Sequence, residues 1–508
     1  MAGYDAIVIG SGIGGLASAT RLSQDGFRTL LLEASDEFGG YIRPVVYGEY
    51  SFDLGLHYIG KLGSGGSFRE ILDQLGLEDF EFIELDPEGF DRYVFPGYEF
   101  NFCKGREQLA ERLIGDFPRE EKGICKFLDL TMKIDQACEP HRMVRGSHLG
   151  WIPYLLKNPV MLHYGRSTYQ DVLDSITNDR KLQAVLSAPL FDVALGPRRA
   201  SAAVAFGVWS YFLQGAYYPR GGSRALRDAF VKRLRQVGAV LVHSDPVKSL
   251  IRKNGKWLVR TENGNEYSSA VVVSNIDPKV TICSLLERKL VPHREFKKAN
   301  RLKPSGSIIS AFIGTDLDLS SYIGSCNISR FSGWDLDPYY DAWLGNSIPR
   351  PEQAIFLNSP SVRDPTGGFA PEGHHTLQIL MGGNIAGFDK WVQLKPEERG
   401  EDYTKLKSDI VKGMVAEAEA EIPALSEHIT FSECVTPVEC VDRVRAPEGG
   451  IYGPAHIPSQ MGPGRYTSLE CGVEGLFFAG AGTFGCGLFS CAASGLLAAE
   501  KAINHLGR

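Results

Sequence analysis

The most constraining feature of this chain is a short β-branched run that ends in three spaced glycines. Asp5-Ala6-Ile7-Val8-Ile9 is continuously apolar after its first residue, as a central parallel strand should be. Gly10-Ser11-Gly12-Ile13-Gly14-Gly15 follows at once and matches G-x-G-x-x-G at Gly10, Gly12 and Gly15. The first glycine permits a tight turn, the second admits a pyrophosphate to the backbone, and the third lets the next helix pack on the strand. That helix is expected from Leu16 to about Asp25, closed by Gly26, with its first N–H groups aimed at phosphates. A second strand, Thr29-Leu30-Leu31-Leu32-Glu33, ends in an acid at the distance of a ribose ligand. An acid there favours an unphosphorylated ribose, that of FAD or NAD. The glycines alone are a weak signal; strand, glycines, helix, strand and acid in that order are a strong one.

At 508 residues the chain is long enough for two joined domains. Lys plus Arg number 54 against 61 Asp plus Glu, a net charge of −7, which carries no nucleic-acid footprint. The ten cysteines form no C-x-x-C pair and no zinc spacing, so no metal is expected. Scattered thiols suit a reducing cytosol, and the acidic start Met1-Ala2-Gly3-Tyr4-Asp5 reads as no targeting segment. Between Glu474 and Glu500 no residue is charged, long enough to cross a bilayer. Its glycines divide that span into a short strand, a turn and a helix.

Beyond Glu33 the sequence continues with a glycine pair, Gly39-Gly40, and then Phe52-Asp53-Leu54-Gly55-Leu56-His57-Tyr58. This run resembles the flavoprotein superfamily of amine oxidases and phytoene desaturases. Further blocks resemble it: Ala216-Tyr217-Tyr218-Pro219-Arg220-Gly221-Gly222-Ser223, the strand Ala270 to Asn275, Gly449-Gly450-Ile451-Tyr452-Gly453, and Gly475 to Leu488. The last departs from the desaturase pattern, in which His-Pro or Gln-Pro precedes the glycine; here Phe484 stands alone. Gly55-Leu56-His57-Tyr58-Ile59-Gly60 is most similar to the retinol saturase and carotenoid isomerase branch.

The resemblance implies FAD. It lays Gly39 and Gly40 along the diphosphate and ribityl chain, the Asp53-to-Gly55 turn near the flavin ring, and Val247 against the adenine. The implied cofactor contacts are Gly10, Gly12, Ile13, Gly14, Gly15, Glu33, Ala34, Gly39, Gly40, Gly55, Val247, Asn275, Gly480, Ala481, Gly487 and Leu488. Gly480-Ala481-Gly482-Thr483-Phe484-Gly485 repeats the glycine spacing, but no further strand and acid follow it. No nicotinamide site is therefore read, and the electron donor or acceptor stays open. The implied fold is α/β: a discontinuous Rossmann-type FAD domain (1–65, 216–290, 440–508) with an inserted α+β substrate domain (66–215, 291–439) of mixed sheet plus helices. Strands are expected at Ser307–Gly314 and Thr376–Met381 and a helix at Lys405–Glu421, with loops at Asp335–Arg350 and Asn358–Gly373.

The implied substrate is a long apolar polyene or lipid, desaturated, saturated or isomerised at its C–C and C=C bonds. His57, Tyr58 and Tyr217 are the groups the resemblance sets near the flavin, and His57 is an acid or base near neutral pH or else a backbone partner. The apolar stretch Trp151 to Tyr164, within an insert from Arg142 to Leu173, lines a hydrophobic channel, touches a membrane surface or packs in the core of the substrate domain. The expected location is cytoplasmic, with a peripheral membrane contact as the alternative. Two other readings use the same scaffold: an amine oxidase, and a prenyl-binding escort protein without flavin chemistry. The intact glycines and Glu33 argue against the second.

Overall fold

The computed structural model describes residues 2–139 and 151–507. Two seven-stranded sheets organise the chain, a mixed α/β fold. In the first sheet the strand Ala2–Ile9 lies between Glu266–Ser274 and Thr29–Leu32, both parallel to it. Val240–Val242 extends this row beyond Thr29–Leu32, and Leu476–Phe478 joins alongside Glu266–Ser274, also in parallel. An antiparallel hairpin, Val247–Lys253 with Lys256–Thr261, completes the sheet. Asn254 (φ 51°) and Gly255 (φ 75°) make its turn, the left-handed pair that a two-residue hairpin needs.

The helix Ile13–Gln24 follows the glycine turn, and the helix Leu488–Leu506 packs along it. Small residues make that approach: Ser18 Oγ donates to Gly14 O and to Gly495 O across the interface. The uncharged span Glu474 to Glu500 divides into the strand Leu476–Phe478, a glycine loop and the start of the last helix. Among the described residues no helix is long and apolar enough to cross a membrane.

The second sheet runs in the order Ile429–Val435, Ser307–Thr315, His375–Gly383, Ala354–Asn358, Asn327–Phe331, Asp91–Phe95, Tyr98–Phe102. All its pairings are antiparallel except Asn327–Phe331 with Asp91–Phe95. Ser307–Thr315 is buried along its whole length, with the helix Gly400–Ala418 packed nearby on Ile429–Val435. Two stretches expected as loops contain helical turns. Asp337–Trp343 and Pro360–Arg363 each have proline in the first turn, where its missing N–H and fixed φ start a helix as readily as they stop one.

Of the apolar insert, Arg142 to Gly150 lie outside the described residues. Its stretch Trp151 to Tyr164 forms two short helices, Trp151–Lys157 and Pro159–Tyr164. Tyr154 is buried and donates to Ala137 O, whereas Leu156 and Leu162 are 72% and 64% exposed.

Candidate active site and flavin cradle

The nucleotide cradle is built by backbone. Gly10 has φ +86°, and a Cβ on Gly15 would lie 1.9 Å from Gly10 O, so the turn and the helix close only on glycine. The helix Ile13–Gln24 begins at Gly12 with no side-chain cap, leaving its first N–H groups for a ligand. Glu33, at the end of the second strand, accepts from Ser11 N (2.8 Å), Ser11 Oγ (2.5 Å) and Ser35 N (2.9 Å). Gly39 N donates to Ser11 Oγ, and Gly40 (φ +57°) sits against Gly12. The loop before Val247 runs beside Glu33, with Asp245 N donating to Glu33 O. Asn275 lies over the glycine turn: its amide donates to Gly10 O, and its Oδ1 is buried with no partner.

Other segments of the chain line a cavity. Gly55 and the loop Gly485-Cys486-Gly487-Leu488 form one side, and Leu56, Val193, Val204, Val208, Phe212 and Tyr452 line the apolar remainder. His57, Tyr58 and Asp192 enter it at one place, and Lys61, paired with Asp135 at 2.8 Å, at another. Ser223 N and Oγ and the Tyr218 hydroxyl all donate to the buried Asp53 carboxylate, which ties the 217–223 segment to the Asp53–Gly55 turn.

Beneath His57 the second sheet presents a polar row. Asn358 pairs in register with Gln378, and Asn327 with Asp91. Arg363 is buried and donates to His57 O (2.5 Å), Cys326 O and Asn327 Oδ1. The His57 ring is 3.4 Å from the Asn358 amide. Burial, and then the Arg363 guanidinium, hold the imidazole down at about 3, so it is neutral at neutral pH. The Tyr58 hydroxyl lies 3.0 Å from Asp91 and 2.9 Å from Asp192. Burial pushes both carboxyls up to about 7, against the Tyr58 hydrogen bond.

The sequence profile of the flavin containing amine oxidoreductases matches residues 13–503. The chain belongs to this family. It is 28% identical to an all-trans-retinol 13,14-reductase of Macaca fascicularis, over 98% of this chain and 85% of that protein. It is 26% identical to a chloroplastic prolycopene isomerase of an Oncidium hybrid, over 99% of this chain and 84% of that one. Among solved structures, cyclohexylamine oxidase from Brevibacterium oxydans has a TM-score of 0.61 at 16% identity, covering 99% of this chain and 98% of its own, a likeness of fold.

This member of the family is an FAD-dependent oxidoreductase. The cradle fits the cofactor: an uncapped helix N-terminus, a turn without room for side chains, a carboxylate at the strand end, and the partnerless Asn275 Oδ1. Bound FAD supplies two-electron chemistry at its ring, and the protein supplies position, proton control and exclusion of water.

Of the residues singled out in the sequence, Gly10 to Gly15, Glu33, Gly39, Gly40 and Asn275 meet at the cradle, joined there by Ser11. Ile13 is buried in the first turn of the helix, and Ala34 follows Glu33, half-buried. Gly480 N donates to Ser494 Oγ, and the Gly480 Cα faces Asn275; Ala481 packs on Gly453. Gly55, Gly487 and Leu488 line the cavity with His57 and Tyr58.

Tyr217 does not reach that cavity. Its strand Tyr217–Pro219 pairs with Phe82–Glu84, so successive side chains take opposite faces: Tyr218 turns to Asp53, and Tyr217 to Glu84 and Gln214 O. His57 also does not titrate near neutrality, because it is desolvated beside a cation. Asp91, Asp192 and Arg363 were not read from the sequence. Asp91 had a signal: Asp91, Tyr93 and Phe95 share the buried phase of an alternating strand, where a carboxylate is out of place. Asp192 and Arg363 stand in short turns with no periodicity to flag them.

Proposed function

We propose that this oxidoreductase acts on a C=C bond of a long apolar polyene of retinoid or carotenoid type, by saturation or by cis–trans isomerisation. The observation that carries this reading is the cavity, whose apolar walls run from the flavin loop at Gly485 to Leu488 past a few polar groups. The retinol reductase and prolycopene isomerase relatives support the same substrate class. In this reading the glycine turn, Glu33 and Asn275 hold FAD, and Gly55 and Gly487 border its ring. His57, fixed by Arg363 and Asn358, is a neutral hydrogen-bonding wall of the substrate channel. Residues 1–65, 216–290 and 440–508 form the cofactor domain, and 66–215 and 291–439 the substrate domain.

The test is anaerobic incubation of the reduced, FAD-loaded protein with all-trans and cis polyenes, followed by chromatography and mass spectrometry. A product heavier by two hydrogens means saturation, and unchanged mass with a new retention time means isomerisation. Inertness toward every polyene, with hydrogen peroxide released from amines in air, would replace this reading with an amine oxidase.

Leu156 and Leu162 support a peripheral contact of the insert with a membrane surface. Flotation with neutral and anionic liposomes tests it; protein remaining at the bottom with both removes the contact.

A further inference from the structure

We propose that Asp192 is the proton donor of this site, a neutral carboxylic acid facing the cavity and kept protonated by the ionised Asp91 across the Tyr58 hydroxyl. The proposal rests on the polyene reading above and goes beyond it in naming the acid.

Counting protons on the hydrogen bonds leads to this assignment. The Tyr58 hydroxyl lies 2.9 Å from Asp192 Oδ2 and 3.0 Å from Asp91 Oδ2, but it carries a single proton. It donates to one carboxyl; the other contact is a hydrogen bond only if that carboxyl donates to the phenol oxygen. Two ionised carboxylates would leave one short O···O contact unbonded and two like charges in a buried place. Asp91 has the better claim to the charge, because Tyr93 OH also donates to its Oδ2 at 3.0 Å and Arg363 stands near it. The proton therefore resides on Asp192. Asp91 Oδ1 is buried with no partner.

The surroundings fix this geometry. Tyr58 stacks on Phe212 with centroids 4.3 Å apart and planes 7° apart, which holds the hydroxyl in line. Asp192 stands on the tight turn Ala188–Val193, and the next residue, Ala194, takes a left-handed φ of 56°. Such a backbone in a non-glycine residue is costly, and it sits where the turn delivers Asp192 to the cavity wall. The other ionisable groups facing the pair do not change charge near neutral pH. Burial holds the phenols of Tyr93, Tyr211, Tyr340 and Tyr452 and the thiols of Cys326 and Cys486 high, and Arg363 supplies a cation.

Saturation of a C=C bond needs a hydride and a proton. FAD held at the cradle and reduced by an external two-electron donor would supply the hydride for one C–H bond. The π pair moves to the neighbouring carbon and forms the second C–H bond by taking the Asp192 proton, leaving a carboxylate that regains its proton from water. Asp91 and Tyr58 are positioning residues in this scheme.

The test begins without substrate. In the infrared difference between FAD-loaded wild type and Asp192→Asn, a carboxylic acid C=O band that shifts in D2O and fades as pH rises through neutrality is expected. Asp91→Asn should move that fading to lower pH, an effect a merely structural Asp91 would not have. No band in the difference means an ionised Asp192 and overturns the proposal. With a polyene, Asp192→Asn should bind normally and turn over about a hundredfold slower or worse, and Asp192→Glu should restore part of the rate. Wild-type turnover in Asp192→Asn would equally overturn it. If wild type converts no polyene, the substrate reading fails, while the infrared result still decides where the proton sits.

Discussion

Glu33 ties the cradle together with one carboxylate, accepting from Ser11 N, Ser11 Oγ and Ser35 N. Glu33→Ala should bind FAD at least about tenfold more weakly, seen as flavin lost on gel filtration, and destabilise the protein by about 1–3 kcal/mol. Retained flavin would move the adenosine half of the cofactor elsewhere. Arg363 is the second such residue. Arg363→Met leaves His57 O, Cys326 O and Asn327 Oδ1 without their donor. The expected loss is about 3 kcal/mol or more in urea unfolding, with turnover reduced in parallel. His57 is held at about 3, so no limb of a pH–rate profile near the ordinary histidine value should belong to it. Its replacement by Gln should change the rate without reshaping the profile.

At the scale of elements, the approach of the first and last helices governs the cradle. A Cβ on Gly495 would lie 2.1 Å from Gly14 O, a backbone atom that cannot yield without moving the glycine turn. Gly495→Ala should therefore cost about 1–3 kcal/mol and weaken FAD binding, although residue 495 touches no cofactor in this account. Thermal unfolding of the apo and loaded forms checks both. Unchanged values would mean that the helices slide freely. The strands of the cradle were legible in the sequence because their pattern and glycines are local: Ala2–Ile9 and Thr29–Leu32 follow from residue order alone. The helix Gly400–Ala418 overlaps its expected span, Lys405–Glu421, beginning five residues earlier and ending three residues sooner. The site's floor was less legible, because it is made by register between distant strands. Asn358 beside Gln378 and Asn327 beside Asp91 have no meaning until the second sheet is assembled. Arg363 lies in a stretch whose Pro, Gly and Asp content reads as loop, yet Pro360 opens a helical turn there.

Across the whole molecule, two buried groups set opposite trends of stability with pH. Burial, and then the Asp91 charge, push the Asp192 carboxyl up to about 7 in the folded protein against 3.8 ordinarily, so the folded state holds a proton the unfolded chain has lost. Its contribution to stability falls as pH climbs from about 4 to about 7 and is flat beyond. His57, at about 3 against 6.5, does the reverse, losing stability as pH drops below its unfolded value. The urea midpoint of Asp192→Asn should rise relative to wild type between mildly acidic and neutral pH and then hold constant. A difference independent of pH would mean that Asp192 ionises normally.

The chain builds a backbone nucleotide cradle and, separately, a cavity that Gly55 and the Gly485–Leu488 loop line. In the proposed function, reduced flavin acts on a C=C bond of a polyene held in that cavity. The most direct measurement is a single anaerobic turnover: flavin in the purified protein is reduced chemically, an all-trans polyene is added, and the flavin absorption is followed under argon. With a saturase the oxidised flavin spectrum returns, and one dihydro product forms per flavin. For an isomerase the flavin stays reduced while the polyene's geometry changes. A flavin that stays reduced beside an unaltered polyene would contradict the proposed function.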